Sequence, residues 1–153
     1  ENHLITVTGG EPLLQEPAII ELIDELTRRN ARYDFNIETN GTIIPSFHRD
    51  NVWFTYDYKT PSSLVEEAMN LDIFKVSTPA DIIKFVVGSM QDLDRMDEIL
   101  KTYPTDAQIF VSPVWGNIEG ATIIEYMKAH NWQNVRFQLQ IHKFIWDPDA
   151  KGV

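Results

Sequence analysis

Residues 4–13 read Leu4-Ile5-Thr6-Val7-Thr8-Gly9-Gly10-Glu11-Pro12-Leu13, and Glu16-Pro17 soon follows. Leu4–Thr8 is rich in the apolar and β-branched residues that suit a pleated, buried surface. Gly9-Gly10 supplies the conformational freedom of a tight turn. Pro17 sits where a first helical turn tolerates proline. Ile19, Leu22, Ile23 and Leu26 then recur at i, i+3, i+4 and i+7, one apolar stripe of a helix. The stretch is a strand, a turn and a helix, the repeating unit of an α/β sheet.

The same alternation continues along the chain. Further strand-like runs are Tyr33–Glu38, Val52–Tyr58, Ile82–Val87, Gln108–Ser112 and Val135–Ile141. Ser62-Ser63 can cap a short helix through Met69. Leu93, Met96, Leu100 and Tyr103 form a stripe that Pro104 halts. Ile123, Ile124 and Met127 mark a last helix over about Ile118–His130. Strands alternating with helices imply right-handed crossovers and a parallel sheet. Six strands with four to five helices suit either an open doubly wound sheet or an incomplete barrel, and periodicity does not choose between them. No repeat, low-complexity tract or linker divides residues 1–153, which read as a single domain.

Composition narrows the chemistry. Hydrophobic residues at 43% and charged residues at 24% are an ordinary globular balance, so a packed core is expected. Asp and Glu number 23 against 13 Lys and Arg, a formal charge of −10. That balance argues against a nucleic-acid partner and against a membrane surface, both of which call for basic faces. No apolar run reaches the roughly 20 residues of a membrane span. The chain opens on Glu1-Asn2-His3 without a basic leader, so a cytoplasmic setting is expected. There is no cysteine, so the chain itself offers neither disulfides nor thiolate ligands for zinc or an iron–sulfur cluster.

Ligand sites in parallel α/β folds lie beyond the carboxyl ends of the strands. Gly9-Gly10-Glu11-Pro12 lets backbone groups approach a ligand, and Glu11 could neutralise a ligand ammonium; an ordinary tight turn is an equally good reading. Glu38-Thr39-Asn40-Gly41 is a polar strand end before an Asn-Gly turn. Asp57 and Lys59 share a face if the strand persists, either as a carboxylate-binding lysine or as a surface ion pair. Alternation would place Gln138, Gln140 and His142 on one face and Lys143 on the other. His3, His48 and His130 read as structural. No G-x-G-x-x-G, P-loop, H-E-x-x-H or G-x-S-x-G motif is present, so dinucleotide binding, P-loop chemistry, zincin chemistry and serine hydrolysis lack support.

These strand ends carry a family resemblance. Val7-Thr8-Gly9-Gly10-Glu11-Pro12-Leu13 resembles the GGEP motif of radical S-adenosylmethionine (SAM) enzymes. Glu38-Thr39-Asn40-Gly41-Thr42 and Asp57-Tyr58-Lys59-Thr60-Pro61-Ser62-Ser63 resemble the elements that follow the next two barrel strands. Together with Phe137–Trp146 and the Gly152-Val153 end, they resemble the 7-carboxy-7-deazaguanine synthase family of the queuosine and archaeosine pathways. The resemblance covers essentially the whole chain. Organic-radical-activating enzymes share GGEP but fit the later segments less well.

The resemblance implies an incomplete parallel (β/α) barrel of radical SAM type. It implies a lyase that converts 6-carboxy-5,6,7,8-tetrahydropterin to 7-carboxy-7-deazaguanine for tRNA modification. SAM, a [4Fe–4S] cluster and Mg2+ are the implied cofactors, and flavodoxin or ferredoxin the implied electron donor. Gly9, Gly10, Glu11, Pro12, Glu38, Thr39, Asn40, Lys59 and Ser112 would meet SAM. Lys59 could instead meet the substrate carboxylate. Gln140, His142 and Lys143 would bound the substrate, with no residue assigned to catalysis. The family's three cluster cysteines have no counterpart here. The expectation is therefore a C-terminal fragment that lacks the first βα unit and the cluster loop. Such a piece would be inactive alone, with an uncovered sheet edge that invites homodimerisation. An activase and a non-catalytic SAM-binding module are the other readings.

Overall fold

A computed structural model of the chain describes residues 3–148 and Ala150. The expected features at Gly152-Val153 lie outside the described residues. The order of elements is β1 (Leu4–Val7), α1 (Glu16–Arg29), β2 (Asp34–Thr39), β3 (Val52–Tyr58), α2 (Ile73–Val76), β4 (Ile82–Val87), α3 (Met90–Thr102), β5 (Gln108–Pro113), α4 (Gly120–Ala129), β6 (Val135–Phe137) and α5 (His142–Ile145).

All six strands are parallel, and their spatial order is their chain order. A doubly wound sheet would reverse that order at a switch point. Right-handed crossovers between successive neighbours instead bring every helix to the same side. The fold is thus an arc of a parallel barrel, open between β1 and β6.

Register makes the two faces unlike. Phe35, Ile37, Phe54, Tyr56, Tyr58, Ile83, Phe85, Val87 and Val111 share one face, and each is at most 1% exposed. Ile19 and Ile23 of α1, Leu93 and Met96 of α3 and Ile123 of α4 join them in one cluster. The rings of Tyr58 and Phe85 lie 4.7 Å apart at its centre. Fully burying each such side chain contributes roughly 1.5–3 kcal/mol. The opposite face carries Thr6, Asn36, Glu38, Thr55, Asp57 and Lys84.

Local chemistry sets the helices. Glu16 lies in the first turn of α1 and Arg28 and Arg29 in its last, each sign matched to the helix dipole. The Ser89 hydroxyl caps α3 by accepting from the Asp92 backbone N–H at 3.2 Å. Leu22, at the margin of the α1 stripe, remains 45% exposed.

Two local expectations change. The helix expected from Ser62 to Met69 is instead two 3-10 turns, Pro61–Ser63 and Glu66–Ala68. Leu64 between them takes φ 61°, a left-handed conformation that interrupts any helix. The strand expected over Val135–Ile141 ends at Phe137. β5 runs two residues past Val111, its last residue partnered with β6, but there the Ser112 hydroxyl donates to the Gln138 carbonyl in place of a further ladder pair, and the chain turns into α5. The expected alternation of Gln138, Gln140 and His142 is therefore not realised.

Candidate functional site

At the carboxyl ends of the strands, the polar face holds a cavity of about 350 Å³. Thr8 and Gly10 line it from the end of β1, and Glu38, Thr39 and Asn40 from the end of β2. Thr55, Asp57 and Lys59 line it from β3, Lys84 and Val86 from β4, and Gln140 from beyond β6. A larger cavity, about 630 Å³, lies on the helix side among Leu71, Phe74, Ser77, Tyr103 and Asp106. Those residues flank the amino ends of β4 and β5, the end of a parallel sheet that does not carry ligand sites.

The β1 turn is built on two successive left-handed glycines. Gly9 has φ 96° and Gly10 φ 56°, and a Cβ built on either would meet nothing within 4 Å. The constraint is therefore conformational, and it leaves open space above the backbone. Glu11 closes the turn from below. Its Oε1 accepts from the Leu13 backbone N–H at 3.0 Å and from the Thr39 hydroxyl at 2.8 Å. Its Oε2 accepts from the Asn40 backbone N–H at 2.8 Å. The carboxylate thus ties the end of β1 to the end of β2 and caps the 3-10 turn Pro12–Gln15. Pro12 is buried at the start of that turn, outside the cavity lining.

Asn40 shapes the next turn. Its Oδ1 accepts from the Thr42 N–H at 3.0 Å and the Thr42 hydroxyl at 2.7 Å, an Asx-type turn. Gly41 has φ 74°, so glycine is favoured there by conformation; a Cβ would meet Met69 Cε at 2.6 Å, the movable end of a flexible side chain.

Lys59 and Asp57 pair at 2.5 Å with side chains 32% and 41% exposed, although β3 itself ends at Tyr58. Solvent screens such a pair, so its worth to stability is small. The loop after β3 is fixed by Asp92 of α3. The Asp92 Oδ1 accepts from the Ser62 N–H at 2.9 Å, and its Oδ2 accepts from the Gly88 N–H at 2.7 Å. Burial pushes the Asp92 carboxyl up, but hydrogen bonds from Ser62 and Gly88 outweigh it and hold the group below its ordinary value.

Of the residues singled out in the sequence, Gly10, Glu38, Thr39, Asn40, Lys59 and Gln140 converge on the cavity, with Gly9 and Glu11 completing its turn. Ser112 stands beside Val86 on the same face but outside the lining, and its hydroxyl donates to the Gln138 carbonyl at 2.7 Å. His142 and Lys143 begin α5, away from the lining, and the Lys143 ammonium donates to the Pro148 carbonyl at 3.1 Å. Sequence reasoning missed Lys84 and Thr55. Lys84 carried a legible signal, being the one charged residue inside the apolar run Ile82–Val87. Among the described residues, no group of three or more His, Asp or Glu could hold a metal ion, and no helix is long and apolar enough to cross a membrane.

An open parallel arc with a polar cleft beyond its strand ends defines the class: an α/β partial barrel whose candidate ligand site lies at the carboxyl edge. Comparison with known proteins makes the class particular. The 7-carboxy-7-deazaguanine synthase of Clostridium acetobutylicum is 40% identical to this chain, the match covering 97% of this chain and 69% of the relative. Those of Leptospira interrogans and Methanospirillum hungatei are each 36% identical, with 68% and 60% of their lengths covered. The crystal structure of QueE from Escherichia coli superimposes with a TM-score of 0.59 at 25% identity, over 92% of this chain and 57% of that one. No family model matches. The chain belongs to the 7-carboxy-7-deazaguanine synthase family, and spans about two thirds of the length of these curated relatives.

Proposed function

We propose that this chain forms the SAM- and substrate-binding part of an enzyme that converts 6-carboxy-5,6,7,8-tetrahydropterin to 7-carboxy-7-deazaguanine. One observation carries the reading. Two consecutive left-handed glycines, with open space above them, border a cleft lined by Thr8, Glu38, Asn40, Asp57 and Lys59.

The donor set fits SAM. The exposed backbone at Gly9 and Gly10 offers carbonyls to an ammonium, and Glu38 adds negative charge nearby. Lys59 offers a cation to a carboxylate. Asn40, held by its own turn, and Thr39 shape the wall between them. When bound and reduced, SAM supplies a carbon radical able to abstract hydrogen from the substrate. The chain's own part is to bind, orient and exclude water. Glu11 acts on the site indirectly, holding the β1 and β2 ends in register.

The residues do not fit an iron–sulfur cluster, since the chain has no cysteine. In this reading the cluster ligands belong to the part of the full-length protein that this chain does not span. The isolated chain is then expected not to cleave SAM.

The test is a reaction of the full-length, cluster-loaded protein with dithionite, SAM and the carboxylated tetrahydropterin, followed by mass spectrometry. Formation of 7-carboxy-7-deazaguanine is expected, with strong loss in Gly9→Val. Absence of product in the loaded wild type would overturn the reading, and a glycyl radical raised in a partner protein would replace it with an activase. With the isolated chain, 5′-deoxyadenosine above the no-protein control would overturn the expectation of inactivity.

A further inference from the structure

We propose that Glu66 is a positioning residue for the cleft, holding Lys59 in place through Tyr58 and Arg95; the inference rests on the functional reading above, in which Lys59 meets the SAM carboxylate. Glu66 opens the 3-10 turn Glu66–Ala68, in the segment that leads from β3 to α2. It lies outside the cavity lining. Its Oε1 accepts from the Tyr58 hydroxyl at 2.9 Å and from the Arg95 Nε at 2.7 Å. Arg95 belongs to α3 and also donates to Glu98 at 3.0 Å. Tyr58 is the last residue of β3, only 1% exposed, and Lys59 follows it directly. Burial, and next the Glu66 carboxylate, push the Tyr58 hydroxyl above its ordinary range, so it stays protonated and donates.

Residues 59–70 leave the end of β3 and return to the turn after β2, and the two halves of this arch are held differently. The far half is fixed by packing. Met69 belongs to the buried core, and its Sδ accepts from the Lys59 N–H at 3.4 Å. The next residue, Asn70, donates its N–H to the Gly41 carbonyl at 3.1 Å. The near half has no such anchor, because no residue from 61 to 68 is buried. Leu64 is 90% exposed and holds φ 61°, a left-handed conformation unfavourable to any residue with a side chain. Polar bonds to α3 hold this half instead. Asp92 and Arg95, three residues apart on one face of that helix, take the Ser62 N–H and the Glu66 carboxylate respectively. The second of these clasps also reaches Tyr58.

That link decides the position of Lys59. Its ammonium pairs with Asp57 at 2.5 Å, a solvent-screened contact that fixes little by itself. Its backbone is set by Tyr58 on one side and by Met69 across the arch. Without Glu66 the Tyr58 hydroxyl would lose its acceptor inside the protein, and the near half of the arch would lose its tie to Arg95.

The test is a double-mutant cycle in the full-length enzyme, with SAM affinity read by calorimetry. Glu66→Ala should raise the Kd for SAM about 3- to 10-fold, and Glu66→Gln, which keeps an acceptor oxygen, should recover most of the loss. In a Lys59→Met background the same Glu66→Ala change should alter the Kd less than about twofold, because the residue it acts through is gone. Tyr58→Phe removes only the hydroxyl and should reproduce part of the loss; it replaces Glu66→Ala if melting curves show that variant to be unfolded. Unchanged SAM affinity in the folded variant would overturn the assignment. An equal loss in the wild-type and Lys59→Met backgrounds would overturn it too, since that is the mark of a general loosening of the fold. If the wild type binds no SAM, the functional reading falls and this inference falls with it. If the wild type binds SAM and converts the pterin while Glu66→Ala is indifferent, only the Glu66 assignment falls.

Discussion

The two faces of one sheet obey different rules, although the same six strands supply both. In β4, Ile83, Phe85 and Val87 are sealed against the helices, whereas Ile82, Lys84 and Val86 look across to the polar side. In β3, Phe54, Tyr56 and Tyr58 are sealed, whereas Thr55 and Asp57 are half-open. A shift of one residue moves a side chain from the core to the cleft. The buried face holds the fold together, and the polar face is free to carry chemistry.

Substitutions can break that division, and the largest effect belongs to the core. Phe85→Ala removes a ring packed against Tyr58 and Phe74. It should destabilise by about 3–5 kcal/mol, lowering the melting temperature by on the order of 10 °C. A loss below about 1 kcal/mol would show that the helix face is poorly packed.

Glu11→Ala comes next, because Glu11 belongs to the boundary between the faces. Removing its carboxylate strands the Leu13 and Asn40 N–H groups and the Thr39 hydroxyl. About 2 kcal/mol should be lost in urea unfolding. If ligand affinity in the full-length enzyme falls while stability does not move, Glu11 is a ligand rather than a strut.

Asp92 tests the loop that frames the cleft. Its folded pKa lies below the ordinary 3.8. Its contribution is therefore complete above that value and is lost as pH falls through it towards the lower folded pKa. Asp92→Asn should lose about 1–2 kcal/mol at neutral pH, and its stability should fall less steeply than wild type below pH 3.8. Parallel acid limbs in the two proteins would contradict the assignment.

The smallest effect on stability belongs to the cleft. Lys59→Met should cost less than about 1 kcal/mol, because its partner Asp57 is well solvated. In the full-length enzyme it should nevertheless weaken SAM binding. A large stability loss would make Lys59 part of the scaffold.

The same contrast explains what was legible in the sequence. β3 and β4 run over the expected residues, Val52–Tyr58 and Ile82–Val87, because each has a strand partner on both sides. β6 does not: beyond Phe137 the Gln138 carbonyl is taken by the Ser112 hydroxyl of β5, a contact that no local pattern reports. The 61–69 segment misled for a similar reason. Its Ser62 N–H is held by Asp92, thirty residues later, and no local pattern reports that bond. In the cleft, Gly10 was legible as part of a glycine turn, and Glu38, Asn40 and Lys59 as polar residues at strand ends. The structural task of Glu11 was hidden, because its partner Thr39 lies on another strand. Lys84 was overlooked because it stands inside the strand-like run Ile82–Val87, whereas candidate residues were sought beyond the strand ends.

The most direct measurement is a crystal structure of the full-length, cluster-loaded protein with SAM and the carboxylated tetrahydropterin bound. Both ligands should lie on the polar face, with SAM against Gly9 and Gly10 and the pterin in the cleft beside it. Either ligand found on the helix-covered side, in the larger cavity by Leu71, Phe74 and Tyr103, would contradict the division of the sheet into a structural and a functional face.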